Sequence, residues 1–211
     1  MYEGFVAGIS DRVQREFTTQ TWVLIPICAA ISLVGAYVVN AVRVPFLYLD
    51  ALGVVIIAVL VGPWAAALTG LFVNVAQGFI VNPTFWFYTP LQVAFGIAAG
   101  YMAVYGWFRY FWRVIVVGLV VAVISIVMGA PITVLAFGGV TGTGSDAVTA
   151  FFAATGAGIW EAVIGQTIVV EPTDKVLTAV LAALIVKQLP ERYRPPTASQ
   201  VLDKGRLGGD R

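Results

Sequence analysis

Residues 51–108 read ALGVVIIAVLVGPWAAALTGLFVNVAQGFIVNPTFWFYTPLQVAFGIAAGYMAVYGWF, 58 consecutive positions without one formal charge. A helix that crosses a bilayer needs about 20 predominantly apolar residues, so this run holds more than one crossing. Its own punctuation divides it. Residues 51–61 end at Gly62-Pro63, and 64–80 return from that turn, because proline is tolerated in the first turn of a helix. Residues 81–88, with Asn82-Pro83 and a cluster of aromatics, read as a loop, and 89–107 as the next span. Working outward, a second uncharged run over 114–145 supplies a span at 114–137, and 21–40 supplies the first. The last, 176–189, is long enough only if 173–175 form its first turn with Thr173 as N-cap.

Composition agrees. The 211 residues are 60% hydrophobic and 11% charged, with a mean hydropathy of +0.92, whereas a soluble domain carries about 25% charged residues. A soluble single-domain enzyme and a disordered chain are both excluded. The net charge of +1 offers no basic field for nucleic acid. One cysteine, Cys28, makes no internal disulfide, and the absence of histidine removes imidazole acid–base chemistry, haem ligation by His and most zinc sites. No metal site or cofactor is expected. The loop 138–145 is glycine-rich but lacks the lysine of a phosphate-binding loop, and it reads as a flexible connection.

Orientation follows from the excess of basic residues on the cytoplasmic side of membrane proteins. With six spans and a cytoplasmic N-terminus, Arg12, Arg15, Arg109, Arg113, Lys187, Arg192, Arg194, Lys204, Arg206 and Arg211 lie inside, and only Arg43 and Lys175 lie outside. A seventh span over 148–170 would move the C-terminal basic cluster outside. That segment also contains Glu161, so it reads as an outer-side surface helix or a re-entrant one. The expected fold is therefore an all-α integral membrane protein: a six-transmembrane-helix bundle with an extra outer-side or re-entrant helix between spans five and six. Residues 1–20 form a cytoplasmic amphipathic segment, 21–192 a single transmembrane domain, and 193–211 a disordered cytoplasmic tail. The setting is the cell (plasma) membrane, with both termini cytoplasmic.

Polar residues collect toward the outer ends of these spans. Asn40, Arg43, Tyr48 and Asp50 sit at the mouth of the first two. Asn74 and Gln77 share a face by their three-residue spacing, with Asn82 beyond them. Trp86, Tyr88 and Gln92 lead into the fourth span, Trp160, Glu161 and Gln166 belong to the excursion, and Glu171, Asp174 and Lys175 open the last span. Intramembrane polar residues usually face a bundle interior or a watery cavity, and aromatic walls with a few convergent polar groups are the usual form of a small-molecule site. The expected site is therefore Asn40, Arg43, Tyr48, Asn74, Gln77, Trp86, Tyr88, Gln92, Trp160, Glu161, Gln166 and Asp174. The competing readings are interfacial belt aromatics, helix–helix hydrogen bonds and weak surface ion pairs. A second pattern is the four-residue spacing of small side chains: Cys28, Ser32 and Ala36, then Ala66 and Gly70, then Gly96 and Gly100. Such faces let helices approach closely, either within the bundle or against a partner.

The size and span count, the turn Leu60-Val61-Gly62-Pro63-Trp64 followed by Gly70, the loop Val42-Arg43-Val44-Pro45-Phe46 leading to Leu49-Asp50, and the stretch from Glu171-Pro172-Thr173-Asp174-Lys175 to Lys187-Gln188-Leu189-Pro190 together resemble a substrate-binding S component of an energy-coupling factor (ECF) transporter. The resemblance covers about residues 21–192. It implies high-affinity capture of a vitamin or related small nutrient from outside. It also implies ATP-driven import through a membrane coupling subunit and cytoplasmic ATPase subunits, with no nucleotide bound by this chain. Substrate contacts then come from the loops after spans one and three and from spans four to six with the preceding loop. The first-span face that meets the coupling subunit matches Cys28, Ser32 and Ala36 here. A scaffolding subunit of a larger membrane complex and a self-sufficient small-solute transporter are the other readings. Thiamine-like, pyridoxine-like and flavin-like ligands all stay open.

Overall fold

The computed structural model describes residues 13, 14 and 16–190. Among them are seven α-helices and no strand: α1 (Thr19–Val42), α2 (Leu52–Leu60), α3 (Pro63–Ile80), α4 (Thr89–Val104), α5 (Phe111–Phe137), α6 (Asp146–Ala154) and α7 (Ile159–Gln188), with a 3-10 segment at Pro83–Tyr88 leading straight into α4. Four helical stretches are long and apolar enough to cross a membrane: Thr19–Val42, Pro63–Ile80, Pro83–Val104 and Phe111–Phe137. Most of 1–20 and all of 193–211, expected as an amphipathic segment and a tail, lie outside the described residues.

Two expectations need correction. Residues 51–61 were expected to form a crossing, but α2 has 9 residues and is about 14 Å long, less than half of a hydrocarbon core of about 30 Å. It is apolar all round, so it is buried all round, from Gly53 to Leu60. It is the centre of the bundle, packed by α1, α4 and α7.

The second correction concerns the C-terminal third. Residues 148–170 do not form one excursion, and the last helix does not begin at Thr173. The chain makes α6, turns at 155–158, and then runs as one helix of 30 residues to Gln188, about 45 Å long. Buried pairs recur every four residues along it, Val170 and Glu171, Asp174 and Lys175, Thr178 and Ala179, Ala182 and Ala183. That unbroken inward face, packed chiefly on α5, carries the helix through Pro172. Thr173 is no cap, since its hydroxyl donates to Val169 O one turn back. The true N-terminus is held by Glu161, whose Oε2 accepts the Gly158 N–H at 3.0 Å, a reach-back capping bond.

The small-residue faces serve internal packing. Ser32 is 0% exposed and its Oγ accepts the Gly53 N–H at 2.9 Å. A Cβ on Gly53 would fall 1.7 Å from the Cys28 carbonyl oxygen, so α1 and α2 touch backbone to backbone there. Cys28, Ser32 and Ala36 are thus buried in the core of this chain rather than presented to a partner, which corrects the expected partner face. α3 and α4 meet in the same way, Gly96 against Ala66 and Gly70 against the Gln92 carbonyl. At the far end of α3, Glu16 accepts the Trp64 and Ala65 N–H groups at 2.8 and 3.0 Å. The negative charge there complements the positive helix terminus.

Candidate functional site

The C-terminal ends of α1, α3 and α5 gather with the N-terminal ends of α2 and α4, and α7 runs past them. Between them lies a cavity of about 70 Å³. Its floor is ionic. Lys175, 3% exposed, points into three carboxylates: its Nζ is 2.7 Å from Asp174 Oδ2, 3.2 Å from Asp50 Oδ1 and 3.7 Å from Glu171 Oε2. The rings of Tyr48 and Phe95 flank the same ammonium at 5.4 and 5.1 Å, within cation–π range. Asp174 is shared between two tasks. Its other oxygen, Oδ1, accepts the Tyr48 and Leu49 N–H groups at 2.8 and 3.0 Å. This ties the α1–α2 loop to α7 and holds Leu49 in a left-handed conformation, φ 52°, which an L side chain adopts at a cost of about 1–2 kcal/mol.

Above the ionic floor the groups are neutral. Gln92 Nε2 donates to Asp50 Oδ2 at 3.2 Å and to Asp50 O at 3.3 Å. Gln166 Nε2 donates to the Tyr48 hydroxyl at 3.3 Å. Burial pushes the Tyr48 phenol above its ordinary range, so that hydroxyl stays neutral. Burial also raises the Asp50 carboxyl, against the pull of Lys175. Phe85, Tyr88, Leu91 and Phe95 form the apolar wall, and the Tyr88 hydroxyl bonds Thr133 Oγ1 at 2.6 Å. The loop 138–145, expected as a flexible connection, closes over the cavity. Asp146 organises it, accepting from Thr141 N, Thr141 Oγ1 and Gly142 N at 2.7–3.0 Å. Thr141, Thr143 and Ser145 then line the cavity roof.

The structure brings Tyr48, Asn74, Tyr88, Gln92 and Gln166 to this cavity, with Asp174 immediately behind it. The others lie elsewhere. Asn40 is half-buried in the last turn of α1, and Arg43 is exposed as the C-cap of that helix. Gln77 is buried on α3 away from the cavity. Trp86, 42% exposed, lies along α3 with its Nε1 donating to Val75 O. Trp160, 43% exposed, and Glu161 stand at the N-terminal tip of α7, where Glu161 is a helix cap. Several lining residues were not among those expected: Asp50, Glu171 and Lys175 as a unit, Ser125, Gly129 and Thr133 on α5, and Asp146 with its loop. The α5 set was legible as a signal, since Ser125, Gly129 and Thr133 recur every four residues through an otherwise apolar run.

Some of the polar atoms here have no partner. Both amide atoms of Asn74, Gln92 Oε1 and Glu171 Oε2 are buried without a hydrogen bond, and all three residues line the cavity. A buried polar atom left unpaired costs about 1–3 kcal/mol, and native proteins hold few of them. These three share one aromatic-walled space, while Trp64, Gln77 and Thr178 carry unpaired buried atoms away from it. No curated protein and no solved structure matches the chain. The family described as ECF transporter, substrate-specific component, matches residues 20–193. The chain, an apolar bundle with a polar cavity at one end, belongs to the family of ECF transporter substrate-specific components.

Proposed function

We propose that the protein is the membrane-embedded subunit that captures a vitamin or related small nutrient for import, the coupling module supplying the ATP-driven step. One observation carries the reading: three buried residues with unpaired polar atoms, Asn74, Gln92 and Glu171, face one cavity beside an aromatic wall. A scaffolding subunit would pair such groups with one another, as Lys175 does with its carboxylates, and leave none over. The chain passes six times between the two ends of the bundle, through α1, α3, α4, α5 and α7 and, between α1 and α3, through the 43–51 loop with the short buried α2, and α6 is the additional outer helix. Of the basic residues among those described, Arg109, Arg113 and Lys187 belong to the end of the bundle opposite the cavity, while Arg43 and the ion-paired Lys175 belong to the cavity end. The positive-inside bias therefore supports a cavity that faces outward and termini that are cytoplasmic.

Native mass spectrometry on gently purified protein tests the capture directly. A bound molecule of small-nutrient mass is expected. An empty protein that also fails to pull down a coupling subunit and ATPases would sink the proposal.

A further inference from the structure

The same cavity also states what charge it takes. We infer that its ligand is an aromatic or heteroaromatic molecule carrying a positive charge, such as a protonated amine, held by Glu171. This rests on the capture reading above and adds the chemical class of the substrate.

Lys175 is the obvious anchor for an anion, and its surroundings argue against that role. Its ammonium is already met by Asp174, Asp50 and Glu171, lies between two rings, and is almost wholly buried. A lysine has three donors, and two are committed to Asp174 and Asp50. The carboxylates are not equally committed. Asp174 is saturated by Lys175 and two backbone N–H groups, and Asp50 by Lys175 and Gln92. Glu171 is met by the Ser125 hydroxyl and by a distant third share of Lys175 at 3.7 Å, and its Oε2 accepts no hydrogen bond.

Charge counting agrees with the geometry. The cavity lining contains the carboxylates of Asp50, Asp146 and Glu171 against the single ammonium of Lys175, a formal excess of two negative charges before Asp174 is considered. The unpaired neutral atoms point the same way. Gln92 Oε1 and Asn74 Oδ1 are acceptors without donors, Asn74 Nδ2 is the one unpaired donor among them, and these residues, like Glu171, are more than nine-tenths buried. Three of these four unpaired atoms are acceptors, one of them a carboxylate oxygen, so they call for donors and positive charge from a ligand. The Tyr88 and Phe85 rings beside this floor suit a flat ring by stacking and a cation by the ring quadrupole.

The test uses the full chain in detergent or nanodiscs, with binding read by titration calorimetry and by ligand-induced shift in thermal unfolding. The probes are pyridoxamine and pyridoxine, which differ by an ammonium in place of a hydroxyl, together with cationic thiamine, neutral riboflavin and anionic biotin. The inference expects a cationic probe to bind most tightly, with pyridoxamine favoured over pyridoxine by about tenfold or more, the scale of a charge-assisted bond. Glu171→Gln is expected to remove that preference, so that pyridoxamine and pyridoxine bind alike. The pyridoxamine–pyridoxine comparison needs no variant and so stands even if Glu171→Gln folds poorly. A neutral or anionic probe binding best, or a cation preference untouched in Glu171→Gln, overturns the charge assignment and leaves capture standing. No binding by any probe at millimolar concentration overturns this inference. Native mass spectrometry of the same preparation then separates the two readings, because a co-purified neutral or anionic molecule keeps capture alive.

Discussion

Replacing Lys175 by methionine tests the ionic floor most sharply. Methionine keeps the length and apolar stem of lysine and deletes only the charge. Little bulk water reaches the closest pair, since Lys175 is 3% and Asp174 0% exposed. Three carboxylates that shared one cation at 2.7, 3.2 and 3.7 Å would then face one another. Removing one partner from a buried pair costs about 3–5 kcal/mol, and mutual repulsion keeps this case toward the upper end. For a chain of this size that is a fall of roughly 6–20 °C in unfolding temperature.

The effect has a pH signature. Burial already raises the Asp50 carboxyl and Lys175 opposes that rise, so the variant raises it further. A carboxyl whose folded pKa exceeds its unfolded value destabilises the fold above that folded pKa, and the penalty vanishes below the unfolded value of about 4. The gap between variant and parent should therefore narrow as pH falls from about 8 to about 5. Thermal unfolding followed by tryptophan fluorescence at both pH values reads this. A loss below about 2 °C, or one independent of pH, would refute the claim that Lys175 neutralises a buried acidic cluster.

Other expectations follow from the packing and the cavity. Gly53→Ala should destabilise by about 1–3 kcal/mol, because its methyl has no room beside the Cys28 carbonyl; denaturant titration against a surface Gly→Ala control checks it. Ser32→Ala should cost about 1 kcal/mol by orphaning the Gly53 N–H, while ligand affinity of the folded fraction stays the same. Gln92→Ala should weaken capture of the co-purified ligand by about tenfold, whereas Trp160→Ala should leave it within about twofold, since that ring stands outside the cavity; equal losses in equilibrium binding would move the site to the tip of α7. With Cys28 buried, a cysteine placed at exposed Thr155 should react with an impermeant thiol reagent on intact cells, and labelling only after permeabilisation would invert the topology.

The boundaries of α1, α3, α4 and α5 were legible because lipid and core impose the same requirement, an apolar run ended by Gly, Pro, Asn or charge. Residues 51–61 satisfied that requirement equally well, and hydropathy cannot tell a helix surrounded by lipid from a short one surrounded by protein. What distinguishes α2 is length, and only the closing of the Tyr48–Asp50 loop onto Asp174 fixes where it starts. The site was half legible for a related reason. Tyr48, Asn74, Tyr88, Gln92 and Gln166 stood out as polar or amphipathic groups near span ends. Trp86 and Trp160 stood out equally, yet helix rotation turned them outward, and a rotation of that kind is set by packing rather than by residue type.

The reading of α7 failed most, and its failure leads to the proposed site. Glu171, Asp174 and Lys175 in mid-helix made the segment look like a boundary, because charge is expensive inside a membrane. The helix continues through them because each charge finds a partner on another element or on its own next turn, and the unbroken apolar pairs below, Ala179, Ala182, Ala183 and Val186, bury against the core. Such a cluster is poor evidence of stability, since well-packed apolar residues often do as well or better. Its retention is accounted for by what it leaves incomplete. Lys175 cancels one of the charges it faces, Glu171 Oε2 has no donor, and the amides of Asn74 and Gln92 are unsatisfied in the same space. On the proposed function, a ligand supplies the missing donors. Unpaired buried polar atoms cost stability, so Glu171→Gln and Asn74→Leu should both raise the unfolding temperature, by roughly 2–4 °C for each kcal/mol relieved, even as they weaken binding. A drop in that temperature for both variants would show that these groups are paired in the resting protein.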